Sequence, residues 1–495
     1  MTLAFSGWHG AAVLAVFGLV MLGVGLAVSR GGNIRDSMSE YYLAGRGLGL
    51  LMLFFTLYAT QYSGNTIVGY APTAYRMGFG WIRSVTFMVL VMGGYLLFAP
   101  RLYVLAKRYN FLTPSDWLQK RFNSRAVTLV GTLLMLYGLG NYLLEQFVAI
   151  GQGVAGLTAG IVPYQVGVLF FIVIMLVYEW LGGMRAVAIT DVLCGVVLLL
   201  GIFGLLIGSI ITFGGLGVAT EYMFANAPKL VAVPSREAST TWLSTLILIM
   251  IGAAVYPQAI QRIYSAKSER TLKQSLSRMA WMPFITTGVV LLIGLIGVKA
   301  LPGLDKMASE QLVGMMANAV AAQGPVFYGL MLLLFAAVIG AIVSTADSVI
   351  LTMSSMFSKD IYARHIAPSA SEKQQVLWGK VAGIIVVFLL LLIAWNPPGT
   401  LYELFILKFE VLIQVAPAFI IGLYWKKLSR GPVLVGMLAG AILAGWMTIA
   451  GIRTWHGWHV GLVGLALNTV ICVVGSYLFP AAATEQQEVE EMISL

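Results

Sequence analysis

Charge is scarce in this sequence. Only 10% of its 495 residues are Asp, Glu, Lys or Arg, against about 25% in soluble domains, and that excludes a solvated globular enzyme. Cysteine is nearly absent. Cys194 and Cys472 both sit in apolar runs, so they offer no disulfide framework and no metal-ligand spacing. The four histidines are His9, His365, His456 and His459. The last two stand three apart without a third ligand and read as interfacial residues. No glycine loop ending in lysine offers a cradle for ATP phosphates. No basic leader precedes the first apolar run near Gly10, which is expected to remain as a helix. No catalytic residue and no cofactor beyond a coupling ion is expected.

Apolar residues are abundant: 59% of the chain is hydrophobic and the mean hydropathy is +0.89. The class is therefore an all-α integral membrane protein. Spans of about 20 apolar residues are predicted over 10–29, 47–75, 82–105, 126–153, 161–182, 187–213, 241–264, 277–299, 325–357, 374–394, 399–424, 432–451 and 458–479, about thirteen transmembrane helices in all. An odd number places the termini on opposite sides. With the N-terminus outside, most of the 30 basic residues, Arg30, Arg35 and Arg262 among them, fall on the cytoplasmic side. Only Arg76, Arg83, Lys229, Arg236, Lys299, Lys306 and Arg453 fall outside. That asymmetry predicts N-out, C-in in a plasma (bacterial inner) membrane. The net charge of +10 is then spread over loops that face anionic lipid, with no patch for nucleic acid. The acidic stretch 484–491 is expected to be mobile or a short surface helix. Segment 300–324, with Leu312, Met315, Met316 and Val320, is read as a lid-like helix or a plain connector.

The polar residues inside the spans carry the chemistry. Ser344, Thr345, Asp347 and Ser348 lie within one apolar run, and helical spacing lets one face carry the hydroxyls. Hydroxyls there glue helices together or bind a small hard cation such as sodium. A carboxylate beside them, costly in hydrocarbon, favours an ion or substrate path. Tyr58-Ala59-Thr60-Gln61-Tyr62-Ser63-Gly64-Asn65-Thr66 is poor helix material at mid-span. Gly252-Ala253-Ala254-Val255-Tyr256-Pro257-Gln258 puts a proline inside another span, where it interrupts the hydrogen-bond ladder. Two interrupted spans in corresponding positions of two halves point to the binding site of a secondary transporter. Glu145, Glu179, Glu403, Lys408 and Glu410 also lie in or near spans, and Lys408 is expected to pair with Glu403 or Glu410.

These residues carry a resemblance. Tyr41-Tyr42-Leu43-Ala44-Gly45-Arg46, Leu181-Gly182-Gly183-Met184-Arg185-Ala186-Val187 with Thr190-Asp191, Pro257-Gln258 with Gln261-Arg262 and Ala266-Lys267, Ser344-Thr345-Ala346-Asp347-Ser348 with Asp360-Ile361-Tyr362, and Gly422-Leu423-Tyr424-Trp425-Lys426 resemble the motifs of the sodium:solute symporter family, in order. The pantothenate, monocarboxylate and proline carriers are the nearest branches in character. The segment Gly69–Trp81 looks most like the first two. The resemblance implies a LeuT-type fold of 5+5 inverted repeats with discontinuous helices. Its parts are an extra helix and loop at 1–40, repeats at 41–213 (spans 2–6) and 241–424 (spans 7–11), two extra helices at 425–479, and an acidic cytoplasmic tail at 480–495.

The family's sodium site, carried onto this chain, comprises the carbonyls of Ala59, Tyr62 and Ala341 and the hydroxyls of Ser344 and Thr345. A second cation or proton site falls on Asp191, Asp347 and Ser348. Solute contacts fall on Gln61, Ser63, Thr66, Tyr256 and Gln258. Asn141 stands where sialic acid carriers have an arginine, which argues against that solute. Arg83 is read as a carboxylate contact or an interfacial anchor. The resemblance thus implies sodium-coupled symport of a small organic solute (amino acid, monocarboxylate or pantothenate class) by alternating access. The partners are the solute, sodium ions and lipid, and a monomer suffices. Proton-coupled symport and a transporter-like solute sensor acting with a kinase partner remain as alternatives.

Overall fold

The computed structural model describes residues 7–29, 37–158, 160–397 and 399–494. Arg30 and Arg35, and the side chains of Asn65 and Glu179, lie outside what it describes. The chain is helical almost throughout. Ten of the described helices are long and apolar enough to cross a membrane, and two shorter apolar helices cover Ala12–Val28 and Tyr164–Val177. The molecule is an integral membrane protein.

The principal helices are α1 (Gly7–Ser29), α2 (Leu50–Gln61), α3 (Gly64–Val68), α4 (Arg83–Arg108), α5 (Arg125–Leu157), α6 (Tyr164–Phe213), α7 (Arg236–Ala254) and α8 (Pro257–Ser265). There follow α9 (Thr287–Ala300), α10 (Leu312–Ala321), α11 (Pro325–Met356), α12 (Glu372–Ala394), α13 (Leu401–Leu412), α14 (Arg430–Ile449), α15 (Val460–Leu478) and α16 (Ala483–Ile493). A two-residue hairpin, Thr454–Trp455 with Trp458–His459, joins α14 to α15.

The centre of the molecule is α11. It packs against α6, α5 and α1, and from Ser344 to Ser355 every residue is buried. A second seam joins α13 to α5, and a third joins α4 to α7. Spans 161–182 and 187–213 run together as α6, which turns at Gly183 (φ +54°). A Cβ there would also stand 2.7 Å from the Tyr41 carbonyl oxygen, so both the turn and the close approach require glycine.

Both expected interruptions are present. The first falls at Tyr62 (φ −117°, ψ 74°), between α2 and α3. Gly64 then lets the backbone of α3 lie directly on Val338 and Ile342 of α11. The second falls at Val255 and Tyr256, and Pro257 opens α8 at its first position, where its missing N–H costs nothing. The far ends of α2 and α8 are tied together. Leu48, ahead of α2, donates to the Ser265 carbonyl at the end of α8 (3.1 Å), and Lys267 donates back to Leu48 (3.0 Å).

Three peripheral expectations need correction or refinement. His459 is no interfacial residue: it is buried and bonded to Thr245 and Glu410, each at 3.1 Å. The segment around 312–321 is a buried helix packed on α5 and α11. The acidic tail forms helix α16, which buries Val489, Met492 and Ile493 and ties Glu490 to Lys426 at 2.6 Å.

Candidate functional site

Ending α2 at Gln61 frees carbonyls that a continuous helix would satisfy. Two of them find side-chain donors. The Ala59 carbonyl accepts from Thr345 Oγ1 at 3.0 Å, and the Thr60 carbonyl accepts from the Tyr142 hydroxyl at 3.2 Å. Thr345 Oγ1 also stands 2.8 Å from the Ala341 carbonyl. A hydroxyl has one proton to give, so three oxygens from α2 and α11 crowd around one hydrogen. Such a set suits a small hard cation, which prefers several oxygen ligands. Tyr62 lies at the break itself, fully buried.

Ser344 donates to Asp191 Oδ1 on α6. Ser348 donates to the Ser344 carbonyl at 2.7 Å and receives a hydrogen bond from the Arg262 guanidinium. Asp347 is wholly buried and, with Asp191, lies in electrostatic reach of Cys194. The structure therefore brings Ala59, Ala341, Ser344, Thr345, Asp191 and Ser348 together.

Arg262 corrects the sequence reading, which placed it among cytoplasmic flanking residues. Its side chain is fully buried. It donates to Thr56 Oγ1 (3.3 Å), the Gln258 carbonyl (3.1 Å) and Ser348, and acts through space on Asp191. The guanidinium is the buried counter-charge of this cluster. The only signal in the sequence was its place in the Gln261-Arg262 motif, because an arginine at the end of an apolar run otherwise reads as a membrane-edge anchor.

The second polar centre lies on α5 and α13. Lys408 pairs with Glu145 at 2.6 Å, and both side chains are wholly buried. This overturns the expected pairing with Glu403 or Glu410. Glu403 instead binds Lys306 and Arg453, and Glu410 binds His459. Helical spacing had suggested the neighbours in sequence, whereas the true partner faces Lys408 from another helix. Breaking a buried pair costs about 3–5 kcal/mol, because it strands a charge. Aromatic faces enclose the ammonium: Tyr142 at 3.7 Å, Phe405 at 4.5 Å, Phe409 at 5.2 Å and Tyr256 at 5.5 Å to the ring centroids.

The expected solute residues divide. Gln61 donates to the Tyr95 hydroxyl at 3.1 Å, and Tyr95 donates on to the Ala253 carbonyl, so this chain of bonds spans both breaks. Ser63 and Thr66 are buried beside the first break. Tyr256 and Gln258 are buried beside the second, with the Tyr256 hydroxyl in reach of the Gln258 side chain. Asn141 lies one turn from Glu145, half-buried, and turns back onto the Tyr137 carbonyl at 3.0 Å. Arg83 stands apart. It stacks on Trp81 (5.4 Å) and Tyr402 (5.7 Å) and lines a cavity of about 470 Å³ with Glu403, Glu410 and His459. An aromatic layer of Tyr70, Trp81, Phe87, Tyr402 and Phe405, with ring centroids 5.0–6.5 Å apart, lies between it and Lys408.

Comparison with known proteins agrees with this geometry. Residues 41–440 match the model of the sodium:solute symporter family. The chain is 28% identical over 473 residues to the sodium/pantothenate symporter of Escherichia coli, covering 94% of this chain and 95% of that one. It is 25% identical over 495 residues to a sodium/proline symporter of Staphylococcus aureus, covering 95% and 93%. Among solved structures, a Na+-coupled sialic acid symporter in a substrate-bound outward-open state superposes with a TM-score of 0.78 at 19% identity, covering 96% of this chain and 98% of that one. At that identity the likeness speaks for the fold.

Proposed function

The chain belongs to the sodium:solute symporter family, and on that footing we propose that it carries a small, carboxylate-bearing solute into the cell together with sodium. The observation that carries the reading is the oxygen set at the first break: the Ala59 and Ala341 carbonyls with the Thr345 hydroxyl, and Ser344 beside them on Asp191. Sodium entering there from outside replaces the Thr345 proton as the tie between α2 and α11. It thereby holds the broken helix in one arrangement and completes a solute site lined by Gln61, Ser63, Thr66, Tyr256 and Gln258. The loaded carrier then rocks inward about the two breaks. A potential of ~100 mV, inside negative, contributes about 2.3 kcal/mol per charge.

The pantothenate and proline carriers among the relatives support a carboxylate on the solute, and Asn141 in place of arginine speaks against sialic acid. The basic asymmetry supports an external N-terminus and a cytoplasmic C-terminus. A second cation at Asp191, Asp347 and Ser348 would have to displace the Arg262 guanidinium from Ser348, which favours one sodium per cycle. On this reading the protein acts as a carrier.

The test is electrogenic current in proteoliposomes challenged with pantothenate, amino acids, monocarboxylates and sugars, in sodium and in sodium-free choline at constant pH. A solute-evoked current in sodium alone is the expected result. A current that persists in choline would replace sodium with a proton and move attention to Asp191 and Asp347.

A further inference from the structure

Two buried cations flank the layer of Tyr70, Trp81, Phe87, Tyr402 and Phe405: Arg83 and Lys408. They are not equivalent. Arg83 lies beyond the aromatic layer, stacked on Trp81 and Tyr402, with Met77 Sδ at 3.1 Å from its guanidinium. Lys408 lies beneath that layer. The ring nearest to its ammonium belongs to Tyr142, whose hydroxyl holds the Thr60 carbonyl of the first break. Tyr256, another of its aromatic neighbours, is the residue at the second break. Lys408 thus touches the second interrupted helix at Tyr256 and reaches the first through Tyr142.

The ammonium has three N–H donors, and Glu145 Oε2 takes one of them at 2.6 Å. The surrounding rings offer only their faces, which attract a cation without accepting a directed bond as an oxygen does. Polar groups at the two breaks are also only partly spent: the Tyr62 hydroxyl is buried without a hydrogen-bond partner, and the Tyr256 hydroxyl has only the Gln258 side chain within reach. A buried charge pair is poor value for stability alone, and an ionisable residue inside a membrane protein reads by default as functional. A caged ammonium with donors to spare, with the Tyr256 ring of the second break among its walls, is built to receive an anionic oxygen.

We propose that Lys408 is the group that holds the solute's carboxylate, with Glu145 keeping the ammonium charged and aimed in the empty carrier. This rests on the symport reading and gives its solute site a specific anchor. The entering carboxylate takes the remaining N–H donors of Lys408, so the ammonium bridges solute and Glu145. The positive charge arriving as sodium at the first break offsets the added negative charge. Arg83, outside the aromatic layer, is then a latch on that layer and makes no contact with bound solute.

The experiment measures sodium-driven uptake of pantothenate, L-proline and lactate, each beside its primary amide, in proteoliposomes. Wild type is compared with Lys408→Arg and with the double variant Glu145→Gln/Lys408→Gln, in which both buried charges leave together and fold stability is kept. Wild type should take up at least one acid and reject its amide. The double variant should keep its sodium-induced change in tryptophan fluorescence at the same half-saturating sodium, while KM for the acid rises at least thirtyfold. Lys408→Arg, which keeps charge but changes geometry, should raise KM without moving the sodium dependence. An unaltered KM for the acid in either variant overturns the assignment, and so does wild-type uptake of the amide as readily as the acid. Failure of the symport reading looks different: wild type would then show no sodium-dependent uptake of any solute and no sodium-induced fluorescence change, and both readings would fall.

Discussion

The interior holds two polar centres of opposite construction. Around α11 the groups are mostly hydroxyls, and several are spent on neighbouring backbone: Thr345 on Ala341, Ser348 on Ser344, Thr352 on Ser348, each bonding the carbonyl one turn back at 2.7–2.8 Å. Around α13 the groups are full charges, Lys408 and Glu145, paired with each other, with aromatic faces around the ammonium. A hydroxyl that loses a cation falls back on its own helix at little cost. An ammonium that loses its carboxylate has no such refuge. On the proposed reading the first centre can therefore fill and empty in each cycle, while the second must keep a partner throughout.

The largest effect should come from dividing the charged pair. Lys408→Met or Glu145→Leu alone is expected to cost about 3–5 kcal/mol, while the two together are close to neutral. Thermal unfolding of the detergent-solubilised protein measures this, and equal losses from the single and double variants would abolish the contrast between the two centres. Next comes the hydroxyl centre. Ser344→Ala and Thr345→Ala should leave folding nearly intact and raise half-saturating sodium tenfold or more, about 1.4 kcal/mol, in uptake assays. Thr345→Ser, which keeps the oxygen, should do much less.

Arg262 tests whether the hydroxyl centre also depends on a fixed charge. If its guanidinium occupies the place of a second cation, Arg262→Gln should steepen the sodium dependence of uptake, from a Hill slope near one toward two. An unchanged slope would leave Arg262 a structural tie.

The smallest effect belongs to a pair at the margin, Arg76 with Glu310 at 2.6 Å, where Arg76 is 21% exposed. Burial pushes the Glu310 carboxyl above its ordinary value, with Arg76 opposing. The folded state then holds that proton more tightly than the unfolded chain does. Its contribution to stability is greatest at low pH and falls as pH rises from the ordinary carboxylate range through the raised value. Glu310→Gln should flatten this dependence by a fraction of about 1 kcal/mol, the scale of a pair that water can reach, in unfolding scans between pH 4 and 7.

Much of this was legible in the residues. Both helix breaks were, because glycine, proline and clustered polar side chains are locally incompatible with an uninterrupted span. The hydroxyl run 344–348 was too, since helical spacing alone puts its members on neighbouring faces. The partner of Lys408 was not. Glu403 and Glu410 lie close in sequence, whereas Glu145 is 263 residues away and meets Lys408 only because α5 and α13 pack together. Arg262 was misread for a related reason: an arginine at the end of an apolar run looks the same whether the helix ends at the membrane surface or, as α8 does, inside the bundle.

Hydropathy, helical periodicity and the points where helices must break are properties of a few consecutive residues, so the sequence alone determined the class, the two interruptions and the run of hydroxyls on one span. Which charge neutralises which is a property of distant segments brought together. In a low-dielectric interior an ionised side chain is stable only beside its counter-charge, and where that counter-charge stands was decided by the packing of α5 on α13 and of α8 against α11.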